Sequence, residues 1–314
     1  MSKQKNLLYL DPDVINKNPD NPRIIFREDE LDSLMRSISQ VGIQVPLSVY
    51  KKDSKYILID GERRWRSSLK LGLSEVPVIV EPEPSPLNNL LMMFNIHNVR
   101  VHWDLIATAV KIDKVRQLIK EESGVELSKK ELAEMTGVTT ATIVSCDSLL
   151  ALPQKYLDTI WNELEKPRGE QKYTEDLFIE IKKSIKTVEN YLPELVEYYS
   201  ADKILDVFYE KYEKGIENNR VRFRDISKIA RGELVGITKD KVRNTIVDYI
   251  ENFEYTIDDA YQDSVAEAYS ERSTEKKLQD LITILGKIDI VNEGEEVKNK
   301  LLELQVIING ILNK

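Results

Sequence analysis

Ile57-Leu58-Ile59-Asp60-Gly61-Glu62-Arg63-Arg64-Trp65-Arg66 runs from an apolar, β-rich stretch through a glycine into three arginines within four positions. A strand passing through Gly61 into a helix exposes the first-turn N–H groups, which have no partner inside the helix. Arg63, Arg64 and Arg66 add guanidinium forks that match phosphate oxygens, so the turn is suited to an anion. The plainer alternative is a solvated basic helix face.

Around this junction, residues 7–82 alternate strand and helix signals. Leu7-Leu8-Tyr9-Leu10 reads as a strand, and Asp11-Pro12 turns the chain. Leu31, Leu34, Met35 and Ile38 recur at helical spacing and stop at Gly42. Val45 to Tyr50, Tyr56 to Ile59 and Val76 to Val80 read as short strands, giving a small mixed sheet. The run Glu81-Pro82-Glu83-Pro84-Ser85-Pro86 excludes a helix or central strand and reads as a linker or stiff loop. Helical periodicity follows from Leu90 to about Leu152 with a break at Ser123-Gly124, then from Tyr173 to Tyr212, and again from Ile226. The expected class is α+β, with a mixed-sheet N-terminal domain and helical remainder. Its expected divisions are 1–86, 87–165, 166–272 and 273–314.

Ser128 and Glu131 form a capping-box pattern at the start of a helix. With Lys129 as the first position of a helix-turn-helix spanning about 128–150, Ala133, Gly137, Ile143 and Cys146 fall where that unit needs a small residue, a turn and two core residues. Thr139, Thr140, Ala141, Val144, Ser145 and Ser148 would then face a DNA groove. None is Arg, Lys, Asn or Gln, so bidentate base reading is weak, and Ser/Thr contact with phosphate or a structural role are both open. A second candidate surface is basic: Arg220, Arg222, Arg224, Lys228, Arg231, Lys239, Lys241 and Arg243, interleaved with apolar residues such as Phe223.

Composition sets bounds. The 314 residues are 41% hydrophobic and 32% charged, as expected of a soluble globular chain. No apolar run approaches the roughly 20 residues needed to span a bilayer. The lack of a signal-peptide pattern, with one cysteine, points to a cytoplasmic protein without membrane association. The net charge of −9 conceals segregation: residues 220–243 hold 8 basic against 3 acidic residues, +5, whereas 244–314 hold 7 against 15, −8. Either the acidic tail screens the basic segment or it is a separate module. From Thr274 the tail is amphipathic, with Leu278, Leu281, Ile282 and Leu285 on one stripe and Val297, Leu301, Leu304 and Ile308 on another. These helices either close the core of the same chain or form a hairpin or dimerising pair. His97 and His102 are five apart with no accompanying zinc pattern.

The Gly61–Arg66 box resembles the GERRxRA motif of the ParB family of centromere-binding partition proteins. Asn18-Pro19-Asp20-Asn21-Pro22-Arg23, Gly42-Ile43-Gln44-Val45-Pro46-Leu47 and His97-Asn98-Val99-Arg100 followed by Trp103-Asp104-Leu105 resemble that family's other boxes, in order, over roughly residues 7 to 160. The resemblance implies a ParB/sulfiredoxin-like N-terminal fold and a nucleotide-gated DNA-binding protein, dimeric and paired with a ParA-like ATPase. It implies CTP, or another nucleoside triphosphate, with Mg²⁺. On that basis Gly42, Gln44, Pro46, Leu47, Gly61, Glu62, Arg63, Arg64, Arg66, Asn98 and Arg100 hold nucleotide, and Asn98 is the metal contact. His97 replaces the family's carboxylate and Arg100 its Gln, so binding is the firmer expectation and any CTPase activity is weak. Glu62 and His97 are the candidate catalytic groups. Competing readings are a ParB-fold enzyme (nuclease or small-molecule kinase) and a ParB-derived regulator of a plasmid, phage or defence locus.

Overall fold

The computed structural model describes residues 7–21, 23, 25–97, 104–287 and 294–313. Two compact units divide at Lys183/Ser184.

The first unit opens with a five-stranded mixed sheet of order β1-β5-β3-β4-β2, where β1 is Leu7–Leu10, β2 Ile15–Asn16, β3 Leu47–Lys52, β4 Lys55–Asp60 and β5 Val76–Glu81. β3 and β4 are an antiparallel hairpin, β3 and β5 run parallel, and β1 closes one edge antiparallel to β5. Alternating Leu47, Val49, Leu58, Val76 and Val78 form its core with Ile15. Helix α1 (Glu28–Val41) buries Leu31 and Ile38 and ends at Gly42. Helix α2 (Glu62–Leu71) starts immediately after β4, and its Trp65 Nε1 donates to Pro12 O at 2.9 Å.

The proline run is divided more finely than the sequence suggests. β5 keeps Glu81, and Pro86 opens α3 (Pro86–His97) at a first-turn position where its missing N–H costs nothing. Next come α4 (Leu105–Ser123), α5 (Lys129–Thr136), α6 (Thr140–Leu150) and α7 (Gln154–Leu164). Leu90, Phe94, Ala109, Ile112, Leu132, Ile143 and Cys146 form one core across α3–α6. Buried polar residues tie it to the sheet. Asn18 Nδ2 donates to Leu58 O and to Asn89 Oδ1, both at 2.9 Å, Asn89 Nδ2 donates to Asp20 Oδ2 at 3.2 Å, and Lys111 Nζ donates to Pro19 O at 2.9 Å. Helix α8 (Glu175–Tyr191) runs across the division between the units.

The second unit is helical: α9 (Pro193–Tyr199), α10 (Ala201–Glu213), α11 (Phe223–Ala230), α12 (Lys239–Glu251), α13 (Ile257–Ser264), α14 (Ala266–Leu285) and α15 (Glu295–Leu312). At its centre Phe208 stacks on Phe223 and meets Tyr249 edge-on. Neither α14 nor α15 contains a buried residue; Ile284 is 58% and Val306 72% exposed. On the two apolar stripes Leu281, Leu285, Val297, Leu301 and Leu304 are half-buried and Leu278, Ile282 and Ile308 exposed, so neither stripe supplies a fully buried residue to a core.

Candidate nucleotide and nucleic-acid sites

Gly61 occupies a left-handed conformation, φ 97°, as it leads from β4 into α2. A Cβ there would lie 2.5 Å from Leu47 Cδ2, so both the backbone angle and the close approach of β3 require glycine. No side chain caps α2, and its first intrahelical bond is Trp65 N to Gly61 O. The amides of residues 62–64 thus head an uncapped helix, with its positive dipole end.

The three arginines do different work. Arg64 donates through Nη1 to the carbonyls of Val45 and Pro46, the latter at 2.9 Å, and through Nη2 to Asp60 at 2.9 Å. It fastens the 42–47 segment beside α2, and Leu47 is buried there while Gln44 stays exposed and donates to Val41 O. Arg66 grips Glu62 Oε1 with Nε at 2.9 Å and Nη2 at 2.6 Å, and lies 4.1 Å over the Phe26 ring. Glu62 also accepts from Asn21 Nδ2 at 2.7 Å. Arg63 donates to Glu30 O at 2.9 Å, but its Nε is buried without a hydrogen-bond partner among the described residues.

Two residues absent from the sequence-based site complete the cluster. Arg23 pairs with Glu30, and Arg27 lies 3.5 Å from Asp104. Arg27 Nε is a second buried donor with no partner among the described residues. Burial lowers the Arg23 guanidinium from its ordinary value and the nearby Arg63 charge adds to this, against the opposing pull of Glu30. Crowded cations with unsatisfied donors are what an anion would stabilise. The signal for Arg23 and Arg27 was their position at and just beyond the end of the first family box, though nothing periodic marks them.

Asn98, Arg100 and His102 lie outside the described residues, as does the side chain of His97 at the end of α3. Among the described residues no cluster of three His, Cys, Asp or Glu is placed to hold a metal.

In the helix-turn-helix, Ser128 and Glu131 make both bonds of the capping box, and Gly137 turns the chain with φ 71°. Thr139 caps α6 by accepting from Thr142 N. Thr140, Ala141 and Val144 are exposed, with Ser145 and Ser148 half-buried, while Ile143, Cys146 and Leu149 are fully buried. Burial pushes the Cys146 thiol up to about 12, and its Sγ lies 3.8 Å from Leu105 O.

The basic segment of the second unit is well populated with carboxylates. Arg222 meets Asp225 at 2.9 Å and also pairs with Asp258, Lys228 meets Asp225 at 2.8 Å, and Lys239 meets Glu194 at 3.3 Å. Arg231 lies 5.9 Å over Tyr191. Arg220, Arg224, Lys241 and Arg243 are exposed.

Residues 1–95 match the family model for the ParB N-terminal domain. The N-terminal part of the chain is thus similar to the ParB N-terminal domain. It is 34% identical over 125 residues to the probable chromosome-partitioning protein ParB of Campylobacter jejuni, covering 40% of this chain and 45% of that one. The Myxococcus xanthus chromosome-partitioning protein ParB is 32% identical over 148 residues, 47% of each chain. The chain therefore spans about half the length of the curated ParB relatives it matches. Among solved structures, C-terminally truncated ParB from Caulobacter crescentus complexed to the centromeric parS site aligns with TM-score 0.42 and 23% identity, over 71% of this chain and 98% of that one. The same ParB complexed with CTP-γ-S aligns with TM-score 0.29 and 24% identity, over 57% and 92%.

Proposed function

We propose that this chain is a CTP-dependent DNA-binding protein of the partition type. The observation that carries the reading is the arginine cluster at the open amino end of α2, where Arg27 and Arg63 each hold a buried Nε with no partner among the described residues. A magnesium nucleotide, when bound, supplies the compact negative charge that such a cluster lacks. Gly61 lets the backbone approach it; the first amides of α2, Arg63 and Arg66 donate to phosphate; Arg64 holds Gly42, Gln44, Pro46 and Leu47 alongside. Glu62 keeps Arg66 aimed, and Asn98 and Arg100 complete the nucleotide site, with Asn98 contacting Mg²⁺ through a hard carbonyl oxygen.

DNA meets α5–α6 through Thr139, Thr140, Ser145 and Ser148, and the segment Arg220–Arg243 contributes sequence-independent backbone affinity. The helix-turn-helix following the nucleotide domain favours a binding switch over a small-molecule enzyme, which would have no use for it. The divisions at 86, 165 and 272, a homodimer, a ParA-like ATPase partner and a cytoplasmic location belong to the same reading. No helix among the described residues is long and apolar enough to cross a membrane. Whether the DNA locus is chromosomal or plasmid-borne is a further branch of this proposal, and chromosomal is favoured by the curated relatives' names.

Titration calorimetry with CTP, UTP, ATP and GTP, each with Mg²⁺ and with or without mixed duplex DNA, tests it. CTP alone should bind tightly. Equal affinity for all four, or for none, overturns the nucleotide assignment. Hydrolysis should be slow, since His97 stands where the family places a carboxylate; turnover that is already fast and falls in His97→Glu would show the motif to be misaligned.

A further inference from the structure

Resting on the reading that α5–α6 meets duplex DNA, we propose that α6 selects its site through thymine 5-methyl groups, contacted by Ala141, Val144 and the Thr140 methyl. At 100° per residue, Thr140, Val144, Ser148, Ala141 and Ser145 fall in one continuous arc. Leu149, Cys146, Leu150 and Ile143 occupy the opposite arc, and three of these four are fully buried. The outward arc is thereby fixed by the core and is not free to rotate.

Of its three hydroxyls, that of Ser148 is turned inward, donating to Val144 O at 2.9 Å; beside the arc the Thr139 and Thr142 hydroxyls bond each other at 2.8 Å. No Arg, Lys, Asn or Gln lies on the arc, so the bidentate pairings that read guanine or adenine are absent. Beside the Thr140 and Ser145 hydroxyls the arc offers aliphatic surface, with Val144 43% exposed. In the major groove thymine alone presents a methyl group, and small apolar side chains are its natural partners.

Charge fixes the occupant as DNA. The single charged residue of α6, Asp147, is gripped by Arg116 at 2.7 Å and Lys129 at 3.1 Å, two cations against one carboxylate. On α5, Glu131 is taken up in the capping box and Glu134 lies 4.0 Å from Lys130, whose side chain is 84% exposed. Of the carboxylates on α5 and α6, Asp147 and Glu134 thus each face a cation, and Glu131 is turned back onto Ser128 at the start of α5. By contrast, α12 has Asp240 and Asp248 exposed among Lys241 and Arg243, which suits groove entry poorly.

The test begins by selecting bound duplexes from a random library with the full chain, CTP and Mg²⁺. Anisotropy then measures affinity for the selected site with each thymine replaced in turn by deoxyuridine, which lacks only the methyl. We expect about a fourfold loss at one or more positions, the worth of burying one methyl-sized group. Val144→Ala, at an exposed position that leaves the core intact, should abolish the thymine–uracil difference at one of them. Uracil tolerated everywhere, or a thymine–uracil difference unchanged in both Val144→Ala and Ala141→Gly, overturns the methyl reading while leaving DNA binding standing. Recovery of no duplex at all overturns the DNA-binding reading beneath it, and this inference with it.

Discussion

Arg63 and Arg64 sit side by side in sequence yet should fail differently. Arg63→Ala removes a charge-assisted donor whose Nε has no partner among the described residues and should weaken CTP by about 1.5–3 kcal/mol, seen by calorimetry, with a small fall in melting temperature from the lost bond to Glu30 O. Arg64→Ala also frees the carbonyls of Val45 and Pro46, so it should lower both affinity and melting temperature. Gly61→Ala should unfold the N-terminal sheet more readily, by roughly 2–3 kcal/mol, because it meets Leu47 and forces a positive φ. Lys211 offers a pH test in the second unit. It is fully buried, donates to Asn252 O at 2.9 Å and Tyr255 O at 2.6 Å, and lies 3.9 Å over Tyr249. Burial lowers it to about 8, although Glu217 opposes the shift. Below pH 8 both folded and unfolded states hold its proton. Between 8 and the unfolded value near 10.4 the unfolded chain binds more, so this residue makes stability rise with pH across that window. Urea denaturation from pH 7 to 9.5 should show the rise in the parent and its loss in Lys211→Met; equal slopes would remove Lys211 as the cause.

Among elements, those defined by local chemistry were legible beforehand. The helix ending at Gly42, the three central strands, and the capping box with its glycine turn all follow from signals within a few residues. β2 was not, since a two-residue strand has no period to read. The arginine cluster was half legible: α2 supplies the visible part, whereas Arg23 and Arg27 arrive from a loop some forty residues earlier. Lys211 could have been found, because it continues the buried helical spacing of Ile204 and Phe208. For the basic segment, Arg220, Arg222 and Arg224 replaced together by alanine should weaken DNA binding regardless of sequence. The log–log salt slope should flatten by about 0.9 for each phosphate that is no longer neutralised. Since Arg222 already serves Asp225 and Asp258, we expect the flattening to fall short of the value for three phosphates.

At the scale of the whole molecule, α14 and α15 leave Leu278, Ile282, Ile284, Leu302, Val306 and Ile311 more than half exposed. Stripes of this kind are stabilised by a second copy. Ile284→Ser with Val306→Ser and Ile311→Ser should convert a dimer to a monomer in sedimentation velocity, without altering the circular dichroism of the remaining helices; a parent that sediments as a monomer would refute the dimer. The lone thiol has a practical consequence of its own. Cys146 is the chain's single cysteine, enclosed by the α3–α6 core and protonated at neutral pH. A maleimide added to native protein should therefore react only as fast as that core opens, which turns labelling into a clock for local breathing of the helix-turn-helix. It also leaves the surface chemically silent, so a cysteine introduced anywhere outside can carry a fluorophore or crosslinker without first removing the natural one.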